Sequence, residues 1–131
     1  MAEKFDNLFS IKGKIALVTG GSRGIGEMIA AGFLANGAKV YISSRKAEVC
    51  AATAQRLSES YGAQCIALPA DLSQIAGVES LAQQLAERES KLDILVNNAG
   101  AAWGAPLETF PEAGWDKVMD TNVKGVFFLT Q

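Results

Sequence analysis

The chain reads KIALVTGGSRGIG from Lys14 to Gly26, and this stretch decides the fold. Its apolar start is typical of a buried β-strand, and the residues after it have the periodicity of a helix. Between them lies a glycine-rich turn with the spacing Gly20-x-x-x-Gly24-x-Gly26. A strand–turn–helix unit of this kind brings backbone N–H groups and the positive end of the helix dipole to a phosphate group. We therefore expect the turn to bind the pyrophosphate of a dinucleotide.

Two other interpretations of the turn are open at this point. The phosphate-binding loop of nucleotide hydrolases requires Gly-x-x-x-x-Gly-Lys-Ser/Thr. Gly21 and Gly26 have the glycine spacing, but Glu27 and Met28 follow where the lysine and the hydroxyl residue belong. A carboxylate there would repel the phosphates, which excludes this class. A tight strand–helix connection that binds no ligand is the second interpretation.

Strand-like and helix-like segments alternate along the chain. The predicted strands are 14–19, 39–43, 64–68 and 92–96, and the predicted helices are 24–36, 46–61 and 73–90. Helical spacing predicts three apolar faces: Ile25, Ile29 and Phe33; Val49, Thr53 and Leu57; Val78, Leu81 and Leu85. Ser73 is the expected N-cap of the third helix. Short connections between alternating elements indicate the α/β class, with a Rossmann-like, doubly wound parallel sheet of four strands in the order 3-2-1-4.

Length and composition limit the classes of protein. The 131 residues are enough for one domain with a buried core, and 49% of them are hydrophobic. The net charge of -2 gives no electrostatic footprint for nucleic acid or a membrane surface. No apolar stretch reaches the roughly 18 residues of a membrane span, and the start lacks the layout of a signal peptide. We expect a cytoplasmic protein.

Metal and redox chemistry have no sequence support. The chain contains no histidine, and Cys50 and Cys65 have neither metal-ligand nor redox spacing. We predict that both cysteines are small buried hydrophobic residues and that there is no metal site.

The end of the second predicted strand carries a clue to cofactor selectivity. An acidic residue at this point binds the ribose hydroxyls of NAD, whereas an arginine meets the 2′-phosphate of NADP. Here the strand ends in Ser43-Ser44-Arg45, without an acid, and Arg23 lies in the glycine turn. We predict NADP(H) as the cofactor. The alternative is that Arg45 is a solvated surface residue.

Four segments together resemble the short-chain dehydrogenase/reductase family. Residues 19–26 are similar to the cofactor turn of that family, and Asp71-Leu72 to the pair that contacts the adenine ring. The Asn-Asn-Ala-Gly sequence that ends at Gly100 is similar to the segment beside the nicotinamide, and Asn122 falls at the position of a helix-borne catalytic Asn. The resemblance thus implies cofactor contacts from Gly20, Gly21, Ser22, Arg23, Gly24, Ile25, Gly26, Ser44, Arg45, Asp71, Leu72, Asn98, Ala99 and Gly100, with Asn122 as a catalytic residue and no metal ligand.

Asn122 and the Asn-rich segment each have a simpler interpretation. Residues 97–100 fit an ordinary strand-to-loop turn, although ligands in α/β sheets do bind at such strand ends. Asn122 interrupts an apolar helical stripe formed by Trp115, Val118, Met119, Val123 and Val126. A polar amide there needs partners, so it either caps a neighbouring backbone group or, as the resemblance implies, holds a water linked to a catalytic lysine.

The resemblance also implies a reaction. Within the family, the sequence around Trp103 and Trp115 is most similar to bacterial 3-oxoacyl-[acyl-carrier-protein] reductases, including the rhamnolipid-biosynthesis type. The family reduces a small-molecule carbonyl by hydride transfer from the cofactor, with a Tyr-x-x-x-Lys pair and a Ser assisting. An acyl-carrier-protein or CoA thioester is then a candidate substrate, and a homo-oligomer is expected for the intact protein.

The Tyr-x-x-x-Lys pair is absent from this sequence. Tyr41 is followed four residues later by Arg45, and Tyr61 by Cys65. The family places its Ser, Tyr and Lys after the position of Gln131, where a helical pattern stops without a Gly, Asn or Pro. We expect residues 1–131 to be the N-terminal cofactor-binding part of one reductase domain, inactive by itself. Two alternatives are a non-catalytic NADP-binding module and a subunit-interaction fragment that packs through residues 115–131.

Overall fold

The computed structural model describes residues 7–131 as an alternation of strands and helices. The strands are β1 (Ile15–Thr19), β2 (Lys39–Ser43), β3 (Cys65–Ala67) and β4 (Ile94–Val96). The helices are α1 (Gly24–Ala35), α2 (Ala47–Tyr61), α3 (Ile75–Ala86), α4 (Glu112–Met119) and α5 (Gly125–Thr130). A 3-10 turn lies at Leu107–Thr109, and a π-helical turn at Asp120–Lys124 joins α4 to α5.

The four strands form one parallel sheet in the order β3-β2-β1-β4. In β1, Leu17 is in register with Tyr41 of β2 on one side and with Leu95 of β4 on the other. The predicted α/β class, strand number and strand order are therefore confirmed. Within residues 7–131, β3 and β4 are the edge strands.

Helices cover both faces of the sheet, which is the doubly wound arrangement. Val18, Val40 and Ile42 point to one face and are buried under α1 and α2. Leu17 and Tyr41, which alternate with them along the strands, point to the other face and pack with α3 and α5. The sheet separates the two cores.

Both cysteines lie in the core beneath α1 and α2, as predicted. Cys50 and Cys65 are free and buried, and the Cys50 thiol points to the carbonyl oxygen of Ile42. Burial raises the pKa of the Cys65 thiol to about 12. The Cys65 thiol is therefore not a nucleophile, and both buried side chains pack as small apolar groups.

The predicted apolar face of α1 is displaced by one residue. The fully buried positions of α1 are Gly26, Ala30 and Leu34, whereas Ile25 is 66% exposed. A Cβ on Gly26 would overlap the carbonyl oxygen of Gly20, so this residue faces the turn and the helix is rotated accordingly. Ile29 and Phe33 pack at the margin of the core.

In α2 the prediction is correct at two positions and wrong at one. Cys50, Thr53 and Leu57 are buried, and Val49 is exposed. In α3 the prediction holds, since Val78 and Leu81 are buried and Leu85 packs beside them.

The predicted boundaries of α3 are wrong at both ends. Ser73 is not the N-cap, because its hydroxyl and its N–H both donate to Oδ1 of Asp71, and the helix begins at Ile75. An aspartate two residues earlier competes for the hydroxyl that would otherwise cap the helix. At the other end α3 stops at Ala86 rather than Ser90, and the chain turns toward β2. None of the helices in residues 7–131 combines the length and the apolar character required to cross a lipid bilayer.

Candidate nucleotide-binding cleft

A cleft of about 580 Å³ opens at the carboxyl ends of β1, β2 and β4. Most of the residues that the sequence predicts for cofactor binding line it: Gly20, Ser22, Arg23, Gly24, Ser44, Arg45, Asp71, Leu72, Asn98, Ala99 and Gly100. Gly21, Ile25, Gly26 and Asn122 do not line it. Predicted residues from four separate segments of the chain thus meet in one place.

The glycines of the turn allow its shape. Gly20 and Gly24 have φ of 63° and 58°, a conformation that side chains rarely adopt. Gly21 and Gly26 lie behind the turn, where a Cβ on Gly21 would come within 2.7 Å of Ile42. They contribute to the cleft by letting the backbone pack closely.

The turn leads directly into the N-terminus of α1. Arg23 occupies the N-cap position with extended backbone and makes no side-chain cap. The first N–H groups of a helix have no partner within the helix, and the positive end of its dipole lies there. The entrance of α1 is therefore suited to bind an anion.

A hydrogen-bond network ties the end of β4 to the glycine turn. Oγ1 of Thr19 accepts from the N–H groups of Asn98 at 3.0 Å and Ala99 at 2.9 Å, and donates to the carbonyl of Val96. Nδ2 of Asn98 donates in return to the carbonyls of Thr19 at 3.1 Å and Gly20 at 3.3 Å. The side chain of Asn98 is thus engaged in holding the turn, while the small residues after it line the cleft.

Charged side chains of both signs surround the end of β2. Arg23 and Arg45 are exposed and line the cleft beside Asp71. Hydrogen bonds from Ser73 hold the pKa of the Asp71 carboxyl below its usual value, with a contribution from the positive charge of Arg45 and against the effect of partial burial. The carboxylate is fixed in place and ionised at neutral pH.

The cleft also contains residues that the sequence analysis missed. These are Ser43, Ala70, Ser73, Ala101, Ala102, Lys117 and Thr121. Lys117 and Thr121 come from α4 and the π turn, and their spacing of four residues is the one signal that could have placed them on a common helix face. Lys117 Nζ lies 5.6 Å from the ring centroid of Trp103, which rests against the backbone of Gly114.

Asn122 lies in the π turn and faces the loop that follows β4. Both ends of its amide are hydrogen-bonded to the backbone of Ala101, the residue after Gly100. The loop after β3 meets the same region, because a Cβ on Gly125 would overlap the carbonyl oxygen of Leu72. π-helical turns are rare and are frequent at functional sites. This one shifts the helical phase, so the apolar stripe read at a 3.6-residue period breaks here, and Val123 is exposed.

Neither tyrosine lies at the cleft. Tyr41 is buried in β2 and its hydroxyl donates to Glu89, while Tyr61 ends α2. Within residues 7–131, no group of three or more His, Cys, Asp or Glu side chains is arranged to hold a metal ion.

Comparison with known proteins gives one consistent result. The model of the short chain dehydrogenase family matches residues 14–131. The rhamnolipids biosynthesis 3-oxoacyl-[acyl-carrier-protein] reductase of Pseudomonas aeruginosa is 61% identical over 123 residues, which are 94% of this chain and 47% of that protein. The solved RhlG/NADP active-site complex of Pseudomonas aeruginosa is also 61% identical and has a TM-score of 0.88, with the same coverage of the two chains.

A more distant solved structure has the same fold. The L-sorbose reductase of Gluconobacter frateurii, solved with NADPH and L-sorbose, is 29% identical with a TM-score of 0.88 and covers 92% of this chain and 46% of its own. The chain therefore spans about half the length of the relatives that it matches. Because the family model covers nearly all of the sequence, the chain belongs to the short-chain dehydrogenase family.

Proposed function

We propose that residues 1–131 form the NADP(H)-binding part of a carbonyl reductase. One observation carries this proposal: the glycine turn at the entrance of α1 and two arginines line a single cleft at the carboxyl edge of the sheet. The similarity to the RhlG/NADP complex supports the same cofactor. A strand–helix turn that binds no ligand would not require this convergence.

The pyrophosphate is assigned to the entrance of α1. Ser22 and Gly24 line the cleft there, and Ile25 and Gly26 complete the first helical turn. Backbone N–H groups and the helix dipole bind the anion without needing a side-chain cation. Gly21 and Gly26 act indirectly in this assignment, by allowing the turn to close.

The adenosine end is assigned to the carboxyl ends of β2 and β3. Arg45 and Arg23 carry the charges for a 2′-phosphate, and Asp71 and Leu72 lie where the adenine is expected. Ser44 fits such a ligand because its buried hydroxyl has no hydrogen-bond partner among residues 7–131. A charge-assisted contact from arginine to phosphate contributes about 1.5–3 kcal/mol, which is tenfold or more in affinity.

The nicotinamide end is assigned to the segment after β4. Ala99 and Gly100 are small and line the cleft, so a flat ring has room beside them. When bound, the nicotinamide supplies the hydride that reduces a carbonyl carbon. In this assignment the Asn98 side chain holds the glycine turn beside the end of β4. Asn122, in the π turn, keeps its predicted catalytic role.

The substrate follows from the relatives. The 61% identical relative is named as a 3-oxoacyl-[acyl-carrier-protein] reductase, so we propose a 3-oxoacyl thioester, on acyl-carrier protein or CoA, as the carbonyl substrate of the intact protein. The tyrosine that protonates the carbonyl oxygen in the family has no counterpart in the cleft of residues 7–131, since both tyrosines lie elsewhere. We therefore expect this chain to bind cofactor and not to catalyse the reduction by itself.

A binding titration tests the proposal. Trp103 stands beside the cleft and Trp115 on the neighbouring helix, so energy transfer from tryptophan to the reduced nicotinamide reports binding. We expect NADPH to bind at least tenfold more tightly than NADH. Binding of neither dinucleotide would remove the proposal, and reduction of acetoacetyl-CoA by the 131-residue chain would remove its statement about catalysis.

A second candidate function is association through the last helices. Trp115 of α4 is 59% exposed and Phe127 of α5 is 64% exposed, and exposed large apolar side chains mark candidate contact surfaces. These residues support a subunit contact, and a homo-oligomer is the form that we propose. Sedimentation of the wild-type chain and a Trp115→Lys/Phe127→Lys variant distinguishes the cases, since only an association through this surface loses the larger species.

A further inference from the structure

Ser43, the last residue of β2, has a buried polar group that the fold does not use. The residue is 1% exposed and lines the cleft, yet its hydroxyl has no hydrogen-bond partner among residues 7–131. Its backbone, in contrast, is engaged, because its carbonyl oxygen accepts from the N–H of Gly21 at 3.2 Å. An unpaired buried hydroxyl costs free energy, and native structures rarely retain one without a reason.

The neighbouring strand shows what a hydroxyl at this level can do. Thr19 is in register with Ser43, and its Oγ1 makes three hydrogen bonds that hold the end of β4. The two hydroxyls stand side by side at the carboxyl edge of the sheet. The Thr19 hydroxyl forms hydrogen bonds within the protein, whereas the Ser43 hydroxyl is free to bond a ligand in the cleft.

The direction of Ser43 differs from that of the residues predicted to select the cofactor. Side chains alternate along a strand, so Ser43 shares the face of Tyr41 and Thr19, which packs with α3 and α5. Asp71 and Thr121 line the same cleft as Ser43. Ser44 and Arg45 follow the strand and belong to the end assigned to the 2′-phosphate.

We propose that the hydroxyl of Ser43 is a further cofactor-contacting group, which hydrogen-bonds the adenosine portion common to NADPH and NADH. This inference rests on the proposed function and adds a contact that does not discriminate between the two dinucleotides. Arg45 and Ser44 then determine selectivity, while Ser43 contributes to affinity for both.

The test compares dinucleotide affinity and stability for four serine variants. For Ser43→Ala we expect a threefold to tenfold weaker Kd for NADPH and for NADH, by the same factor, as for one lost hydrogen bond. The melting temperature without ligand should not fall, because no bond within the protein is lost. Ser43→Cys, which replaces the hydroxyl with a slightly larger thiol that is only a weak donor, should weaken the binding of both dinucleotides in the same way.

Ser58→Ala is the matched control outside the cleft. The Ser58 hydroxyl is bonded to Ala54 and Cys65, so its loss should lower the melting temperature and leave both Kd values unchanged. Ser44→Ala should weaken NADPH more than NADH. If Ser43→Ala leaves both Kd values at those of the wild type, or lowers the unliganded melting temperature as Ser58→Ala does, the inference is wrong. If the wild-type chain binds neither dinucleotide, the proposed function itself fails.

Discussion

The side-chain amide of Asn122 is paired with the backbone of Ala101 at both of its ends. Oδ1 accepts from the Ala101 N–H at 2.7 Å, and Nδ2 donates to the Ala101 carbonyl at 2.8 Å. This pair spans 21 positions in sequence and attaches the loop after β4 to the π turn. Because Gly100 precedes Ala101 in the cleft wall, the amide supports the surface assigned to the nicotinamide. The role of a backbone cap, one of the two interpretations from sequence, is therefore present in the structure, and the catalytic role stays a prediction.

Asn122→Ala should destabilise the chain by about 1–2 kcal/mol, since two hydrogen bonds of modest net strength are lost at an exposed position. Asn122→Asp should lose a similar amount, because a carboxylate accepts from the Ala101 N–H but cannot donate to its carbonyl. Urea unfolding measures both. If Asn122 is catalytic, its substitution in the intact protein should also lower kcat, and by a larger factor than it lowers the affinity for the cofactor. Unchanged stability in both variants would show that the pairing contributes nothing.

Arg45→Ala should weaken NADPH binding by tenfold or more and leave NADH binding nearly unchanged, because only NADPH carries the 2′-phosphate. The effect should shrink at high salt, since Arg45 is exposed. Arg56→Ala is the matched control, because Arg56 pairs with Glu27 outside the cleft. Titration of both variants with NADPH and with NADH measures these changes in affinity. An equal loss for NADPH and NADH would contradict the assignment of the 2′-phosphate to this end of the cleft.

Gly26→Ala should destabilise the chain by about 1–3 kcal/mol and reduce dinucleotide binding by at least tenfold. The added Cβ would overlap the carbonyl of Gly20 and come within 2.6 Å of Asn98 Nδ2, so the turn must move. Gly32→Ala provides the control on the same helix, because a Cβ there meets nothing within 4 Å. It should stabilise the chain by about 0.5–1 kcal/mol with no change in binding. If the two variants behave alike, the close packing at Gly26 is not what shapes the turn.

The sheet could be predicted from sequence because its signals are local. Apolar runs ending in a glycine turn or a polar loop mark each strand, and the alternation with helices leaves few parallel topologies. Helix rotation could not be predicted, since Ile25 and Val49 are exposed only because Gly26 and Cys50 take the contacts of the core. The N-cap at Ser73 failed for a similar reason, because Asp71 claims its hydroxyl.

The residues of the cleft likewise include some that the sequence predicts and others that it does not. Motifs of consecutive residues placed most of its lining, from the glycine turn to the segment that ends at Gly100. Lys117 and Thr121 enter from a helix whose position depends on the π turn, and no local pattern predicts that turn. Ser43 carries no signal as a residue type, and only its burial without a partner distinguishes it.

Glu89 should make the free energy of unfolding depend on pH in the acidic range. It accepts the hydroxyl proton of buried Tyr41 at 2.6 Å and pairs with Lys39, so it connects the chain after α3 to the start of β2. The hydrogen bond from Lys39, with a second from Tyr41, holds the pKa of Glu89 below its ordinary value of 4.5. A lowered pKa in the folded state adds stability that is present above pH 4.5 and is lost as the pH falls through the folded value. The wild type should therefore exceed Glu89→Gln in stability at pH 7, and the difference should shrink toward pH 3.

The exposed Glu79 of α3 offers the control Glu79→Gln, for which urea unfolding at both pH values should give no such change. A Glu89→Gln difference that is the same at pH 7 and pH 3 would mean that the ion pair with Lys39 does not stabilise the fold.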